Sequence, residues 1–352
     1  MKLRLSVLAI FLLGLSAGAQ KESPGATGTA GQLFVDVSAA DYVEVIDLAS
    51  RKVVDKIVVG QRPHGLAVAR GTVAGKTGEF LYVTVEDTGE LVIVDVITHK
   101  IVARVAVGKE PNQLTLTQDG RFAYVPLRGE ARVAVVDLAA AGGPAVIARP
   151  SIGEWPHNAY TGATTGHIYV TSFRGKKIHV FDPQKHTLLF EMEFPGEVRP
   201  VALTRNETRA YVALSDFHGF VVADVAQRKV VQRVELPALP PGTPEPYLKT
   251  YVHGLALSPD EHELWVTSCP GAAVYVYSVP DLKLVGKVAV GKFPHWFAWQ
   301  PPAKGGKDWL LWVSQMDSNQ VSVLDPRARK LIATIPTGPA PRRIAVAAPN
   351  PQ

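Results

Sequence analysis

The sequence predicts an all-β fold: a seven-bladed β-propeller of four-stranded antiparallel blades. Short apolar runs alternate with a period of two residues and are separated by turn residues, which is typical of half-buried strands. A unit of four such runs returns seven times, and its spacing matches the repeat length of propeller blades. No segment shows a convincing helical period, so a helical layer is not expected.

The unit is clearest in residues 91–127, LVIVDVITHKIVARVAVGKEPNQLTLTQDGRFAYVPL. Its first run ends at Asp95, and KIVARVAVG, QLTLT and FAYVPL supply the other three runs. Turn-forming residues such as those in QDGR separate the runs. One unit therefore contains the four strands of one blade.

Two positions recur from unit to unit. The first ends a strand before a tight turn, where Asp accepts backbone N–H bonds, so we interpret it as structural. The second, here called the slot, follows phrases such as VGQRP and VGKFP, and its spacings are 48, 45, 43, 53, 42 and 47 residues. The first position holds Asp47, Asp95, Asp137, Asp182, Asp224, Ser278 and Asp325, and the slot holds His64, Asn112, His157, Pro200, His253, His295 and Arg342.

The two ends of the repeat complement each other. The seventh unit stops after RRIAVAAP and lacks its next strand, whereas QLFVDVS supplies a spare strand before the first unit. Pairing of these segments would complete the last blade and remove an exposed sheet edge. We therefore predict that an N-terminal strand closes the ring.

The N-terminus predicts export. Residues 1–19 have a basic start, an apolar run and small residues before a predicted cut after Ala19, which together indicate a signal peptide. The apolar run is too short for a membrane anchor. Residues 20–31 are predicted to be a flexible lead-in, and residues 32–349 the propeller. No cysteine lies near the cut and Cys269 is the only one in the chain, so we expect a periplasmic or secreted protein without an intrachain disulfide.

The repeat resembles a known family. LYVTVEDTGELVIVD, IYVTSFRGKKIHVFD and LWVTSCPGAAVYVYS resemble the YVTN-type propeller repeat, over essentially the whole predicted mature chain. The resemblance implies the fold but no single activity, because similar propellers serve as surface-layer or DNA-binding proteins, as d-type-haem domains and as copper enzymes.

The strand order brings the candidate site to one end of the propeller. The strand after the slot is predicted to line the central channel, and the loops after the next strand end at the same face. A proline-rich insertion, residues 236–251, enters just before His253 and is expected to roof part of the channel. The candidate ligand-binding residues are His64, Asn112, His157, His253, His295, Arg342, Arg128, Arg174, Trp155 and Trp296.

A metal centre is a second interpretation of this face. Imidazole binds copper, iron and zinc, and sulfur ligands favour copper, so copper or haem is considered as a cofactor. The alternative is that the histidines are blade-turn residues inherited by duplication, and that Cys269 is a small buried apolar residue. The candidate metal ligands are His64, His157, His253, His295, Cys269 and Met316.

Four functions remain open. The first is a non-enzymatic scaffold, expected to be a monomer, that binds a small ligand or partner protein at the histidine-bearing face. The second is a copper- or haem-dependent redox protein. A third is a metal-dependent lactonase or lyase using Glu86, Asp87 or Asp216. The fourth is single-strand DNA binding through Arg128, Arg174, Arg342 and Arg343. The formal net charge of +5, or +3 without Lys2 and Arg4, is low for nucleic-acid binding.

Overall fold

A computed structural model describes residues 31–348, apart from the Leu248 side chain, and confirms the predicted propeller. The described residues form seven four-stranded antiparallel sheets, which are the seven blades. The predicted signal peptide, most of the lead-in and the last predicted propeller residue lie outside the described residues. Two short 3₁₀ helices, Tyr247–Lys249 and Met316–Ser318, interrupt the strands.

Blades 1 to 3 run in chain order from the innermost strand outwards. Blade 1 contains β4 (Pro63–Val73), β5 (Lys76–Val85), β6 (Glu90–Asp95) and β7 (Ile101–Ala106). Blade 2 contains β8 (Thr115–Leu116), β9 (Phe122–Leu127), β10 (Arg132–Asp137) and β11 (Ala145–Ala148). Blade 3 contains β12 (Pro156–Thr161), β13 (Ile168–Ser172), β14 (Lys177–Phe181) and β15 (Leu188–Glu193).

Blades 4 to 6 repeat this order, and blade 7 joins both ends of the chain. Blade 4 contains β16 (Val198–Leu203), β17 (Arg209–Leu214), β18 (Gly219–Asp224) and β19 (Lys229–Glu235). Blade 5 contains β20 (Leu255–Leu257), β21 (Glu263–Ser268), β22 (Ala273–Ser278) and β23 (Leu284–Ala289). Blade 6 contains β24 (Pro294–Gln300), β25 (Leu310–Gln315), β26 (Gln320–Asp325) and β27 (Lys330–Pro336). Blade 7 contains β28 (Pro341–Ala347), β1 (Gln32–Val37), β2 (Tyr42–Asp47) and β3 (Lys52–Val58).

The core lies between neighbouring blades. The two middle strands of each blade are buried on both faces, whereas the outermost strands alternate between exposed and covered residues. The recurrent Asp has the structural role predicted for it, because its carboxylate accepts turn N–H groups. Asp95 Oδ1 accepts from Thr98 N at 2.8 Å, and Asp325 Oδ1 accepts from Ala328 N at 2.9 Å.

The ring closes at blade 7, as predicted. The C-terminal strand β28 is innermost and pairs with β1 in the register Leu33↔Val346 and Val35↔Ile344. Beside this pairing, Asp36 Oδ1 accepts the backbone N–H groups of Arg342 and Arg343, each at 2.7 Å. Burial raises the pKa of Asp36 to about 7, although these N–H bonds and the arginine charges act to lower it. The Asp36 side chain thus connects the two ends of the chain.

We expect Asp36→Ala to destabilise the protein by about 1–3 kcal/mol, because two buried N–H groups lose their acceptor. Asp36→Asn is the matched control, since its amide oxygen can still accept both bonds. Urea unfolding followed by circular dichroism measures both variants. Equal losses in the two variants would contradict a role for the acceptor.

Candidate functional site

The slot residues lie in a repeated β-bulge. In each affected blade two residues of the innermost strand lie opposite one residue of the neighbouring strand, and the slot is the first of the two. The bulges lie between Pro63 and Leu66, Pro156 and Ala159, Val198 and Val201, and Pro294 and Phe297.

In three blades a hydroxyl group from the neighbouring strand accepts the N–H of the residue after the slot. Gly65 N donates to Thr84 Oγ1 at 2.7 Å, and Gly254 N donates to Thr267 Oγ1 at 2.8 Å. Asn158 N makes the same bond to Thr171 Oγ1 at 2.9 Å. The Thr of the repeated YVT phrase therefore supplies an acceptor for the N–H that follows the slot, which the strand pairing leaves without a partner.

The register corrects one slot. Val198 pairs across from Leu214 as Pro63 pairs across from Val85, so Arg199 occupies the position equivalent to His64. The prediction that placed Pro200 in the slot of blade 4 is therefore wrong by one residue. Aligning VRPVAL directly with PHGLAV would have found Arg199, but the wider spacing beside the proline-rich insertion obscured that alignment.

Six of the seven slot side chains converge on one cavity of about 310 Å³ at the channel mouth. The His253 and His295 rings are stacked, with centroids 3.6 Å apart and planes at 24°. The His157 ring centroid lies 6.1 Å from that of His253. The cavity is lined by Arg62, His64, Glu110, Arg128, Trp155, His157, Arg199, Tyr247, Thr250, His253, Phe293, His295, Met316 and Arg342.

A proline precedes the slot in several blades, and in four of them the residue before that proline places its side chain at the rim of the cavity. The sequence analysis largely missed these side chains. Arg62, Glu110, Trp155 and Phe293 have φ between 50° and 59°, the left-handed region that non-glycine residues seldom adopt. All four line the cavity. Only Trp155 was among the candidates; the recurrence of a side chain directly before this proline is the signal for the others.

The acidic groups at the rim are already paired with cations. Glu86, which is buried, forms ion pairs with Arg62 and with Arg128, whose Nη2 lies 3.3 Å from Glu86 Oε1. Arg128 Nε also donates to Glu110 Oε2 at 2.9 Å. Asp87 pairs with Arg62 at 3.1 Å. Asp216 is not among the residues lining the cavity.

Two cations of the cavity have no such partner. Arg199 and Arg342 form no ion pair with a carboxylate among residues 31–348. Arg199 is only 6% exposed, its Nε has no hydrogen-bond partner, and its guanidinium lies 4.5 Å from the Phe173 ring centroid. Burial lowers the pKa of Arg199 to about 10, so the group remains charged at neutral pH.

The four imidazoles are neutral at neutral pH. Burial, and then nearby positive charge, lowers the pKa values of His64, His157, His253 and His295 well below the usual value. His157 Nδ1 donates to Asn158 Oδ1 at 3.0 Å, and His295 Nδ1 donates to the Arg342 carbonyl at 3.1 Å. Their Nε2 atoms are therefore unprotonated acceptors.

Three predicted ligand-binding residues do not line the cavity. Asn112 is fully buried, and its Oδ1 accepts from Gln113 N. Trp296 lies deeper, with the Arg343 guanidinium 3.8 Å from its ring centroid. Arg174 lies against the Trp155 ring at 3.7 Å. The other seven predicted residues do line it: His64, His157, His253, His295, Arg342, Arg128 and Trp155.

The proposed metal ligands do not form a coordination set. Within the described residues, no group of three or more His, Cys, Asp or Glu is arranged to hold a metal ion. The stacked His253 and His295 rings cannot both direct in-plane lone pairs at one ion, and Met316 reaches the cavity whereas Cys269 does not. Burial raises the pKa of the Cys269 thiol to about 12, and its Sγ donates to the Pro294 carbonyl. Copper or haem binding stays a prediction that this geometry does not favour.

The proline-rich insertion reaches the cavity through its last residues. Tyr247 and Thr250, which follow its last proline, both line the mouth. Tyr247 is 67% exposed, so its ring stands at the entrance and not in the core.

Comparison with known proteins identifies the family. The sequence matches the model of the YNCE-like beta-propeller family over residues 67–245, just over half of the chain. The chain belongs to the YNCE-like β-propeller family. This is consistent with the YVTN-type repeat, while the finer assignment stays a prediction. No curated protein matches the chain.

Solved structures share the fold at low identity. Hydrazine synthase of Kuenenia stuttgartiensis matches with a TM-score of 0.67 and 16% identity, covering 89% of this chain and 99% of that chain. Dihydro-heme d1 dehydrogenase NirN in complex with DHE matches with a TM-score of 0.60 and 12% identity, covering 94% of this chain and 77% of that chain. Virginiamycin B lyase from Staphylococcus aureus matches with a TM-score of 0.60 and 14% identity, covering 78% of this chain and 84% of that chain. At such identities the likeness shows the fold alone. In residues 31–348, no helix is long and apolar enough to cross a membrane.

The buried imidazoles predict acid sensitivity. Below the usual histidine pKa of about 6.5, the unfolded chain takes up protons that the folded protein does not. Stability should therefore fall as the pH drops below about 6.5, by up to about 1.4 kcal/mol per pH unit for each buried imidazole. Urea unfolding between pH 7.5 and 4.5 measures this slope.

The double variant His253→Gln/His295→Gln should show a shallower slope than the natural protein. His262→Gln is the control, because His262 is exposed. An unchanged slope in the double variant would contradict the assignment of buried neutral imidazoles.

Proposed function

We propose that this protein is an exported propeller that binds a small anionic ligand in the channel-mouth cavity. The observation that carries the proposal is the pair Arg199 and Arg342, which line the cavity without a carboxylate partner among the described residues. Export rests on the sequence of residues 1–19, which lie outside the described residues.

The charge balance favours an anion. Burying a cation without a counter-charge is costly, and a bound anion would offset that cost at Arg199. Two carboxylates at the rim of the cavity, Glu86 and Glu110, already pair with Arg62 and Arg128. Arginine also suits carboxylate and phosphate geometry, since its planar N–H groups can bind two oxygens.

The size and lining of the cavity favour a small molecule. Its volume of about 310 Å³ lies at the lower end of the range for ligand pockets. Aromatic rings of Trp155, Tyr247 and Phe293 surround the charged groups, so a ligand with an unsaturated body would find contacts as well as charge. A scaffold function needs no catalytic set, and none was recognised in the sequence.

We expect Arg199→Gln to weaken binding of carboxylates at least tenfold, about 1.4 kcal/mol, because a charge-assisted bond is lost. Isothermal titration calorimetry with acetate, benzoate, benzene-1,4-dicarboxylate and inorganic phosphate measures the effect. Arg233→Gln is the matched control, since the Arg233 guanidinium also lies on an aromatic ring, 3.5 Å from the Phe217 centroid, but on the outermost strand β19.

Failure of every anion to bind would overturn the proposal. Copper content in protein purified without chelator, measured in parallel, would instead favour the redox alternative, provided that the copper is lost in His253→Gln/His295→Gln.

The imidazoles predict proton uptake with the ligand. An anion near His253 and His295 would raise their lowered pKa values, so binding should strengthen as the pH falls from 7.5 to 5.5. Titrations in buffers of different ionisation enthalpy measure the protons taken up. Affinity that weakens over this range would contradict the linkage.

A further inference from the structure

The positions of Arg199 and Arg342 around the ring restrict the chemical class of the ligand further. This inference rests on the proposed function. Arg199 stands in the slot of blade 4 and Arg342 in the slot of blade 7. Blades 5 and 6 lie between them, and their slots hold His253 and His295. The cations are therefore separate charges on either side of an imidazole pair.

The stacked imidazoles connect the two cationic positions. The His253 and His295 rings are 3.6 Å apart, and His295 Nδ1 donates to the carbonyl of Arg342. On the other side, Arg199 lines the same cavity as both rings. The rings thus occupy the wall between Arg199 and Arg342.

One compact negative charge cannot serve both arginines well. Coulomb attraction falls with distance, and two further slots separate Arg199 from Arg342, so an anion centred on one of these arginines attracts the other less strongly. Two acidic groups at opposite ends of one molecule would match both cations. The wall between them is formed by ring systems, and Phe293 stacks on His295 at 29° with centroids 6.1 Å apart.

We infer that the ligand is a dianion with two separated carboxylates on a flat, unsaturated body. One carboxylate binds the Arg199 guanidinium and the other binds Arg342, while the body lies along the wall of His253, His295 and Phe293. Flat bodies stack on such rings, whereas saturated ones gain less from them.

Titration calorimetry on the full chain tests this assignment with four probes. Benzene-1,4-dicarboxylate should bind at least tenfold more tightly than benzoate, and several-fold more tightly than trans-cyclohexane-1,4-dicarboxylate, which has the same charges on a saturated ring. It should also bind more tightly than inorganic phosphate. Benzoate binding as tightly as the dicarboxylate overturns the two-carboxylate assignment, and tighter phosphate binding overturns it in favour of a compact anion.

If trans-cyclohexane-1,4-dicarboxylate binds as tightly as benzene-1,4-dicarboxylate, the inference that the ligand has a flat, unsaturated body is overturned. Binding of none of the four probes, by contrast, is the failure of the proposed function itself. The two failures are therefore distinguishable in one set of titrations.

Two single variants test the two ends separately. Arg199→Gln and Arg342→Gln should each reduce the preference for the dicarboxylate over benzoate to less than about threefold. Arg342→Gln keeps the backbone bonds to Asp36, His295 and Ser314, so the closing blade is retained. Arg233→Gln is again the control, because Arg233 lies on the outermost strand β19, away from the cavity lining. A preference that survives in both slot variants overturns the inference.

Discussion

The candidate site depends on one recurrent interaction: the acceptor that satisfies the extra N–H of each slot bulge. Threonine supplies it in blades 1, 3 and 5, Ser314 supplies it in blade 6, and Asp36 supplies it in blade 7. In blade 2 the N–H of Gln113 instead donates to Asn112 Oδ1, the side chain of the slot itself, and blade 4 is the other exception. There the residue after the slot is Pro200, which has no N–H, and the position equivalent to Thr84 is Ala213. In the blades other than blade 2, the second strand thus carries an acceptor where the residue after the slot has an N–H group, and lacks one where that residue is proline.

The bulge at the slot explains why side chains from many blades line a single cavity. Each bulge turns one slot residue towards the channel mouth, independently of what that residue is. Histidine in the slot can lose its charge on burial, whereas arginine cannot do so at neutral pH. The arginines at the slots of blades 4 and 7 therefore set the charge of the cavity, and the imidazoles between them adapt their protonation to it.

The sequence was sufficient for the fold but not for the charge of the site. Period-two runs, seven repeats and complementary ends predicted the blades and their closure, because these features depend on local pattern and on chain length. The slot of blade 4 was misplaced since a bulge changes register by single residues, which spacing alone does not resolve. Arg199 was consequently missed, and so was Phe293, whose left-handed backbone turns it into the mouth. Cys269 looked suggestive in a loop, yet packing of the adjoining blade buries it.

The side chains that lie in the channel below the cavity determine how far a ligand can enter. Arg343, fully buried, donates from Nη2 to Asn158 Oδ1 at 2.9 Å and lies on the Trp296 ring. Asn158 in turn donates to the Tyr160 hydroxyl at 3.0 Å. These side chains form a layer across the channel, and the cavity on its far side, which Trp296 and Tyr160 line, shares no lining residue with the mouth. A ligand entering past Tyr247 would meet this layer, which carries the positive charge of Arg343. An anion bound as proposed would therefore be held at one face of the propeller, above this layer.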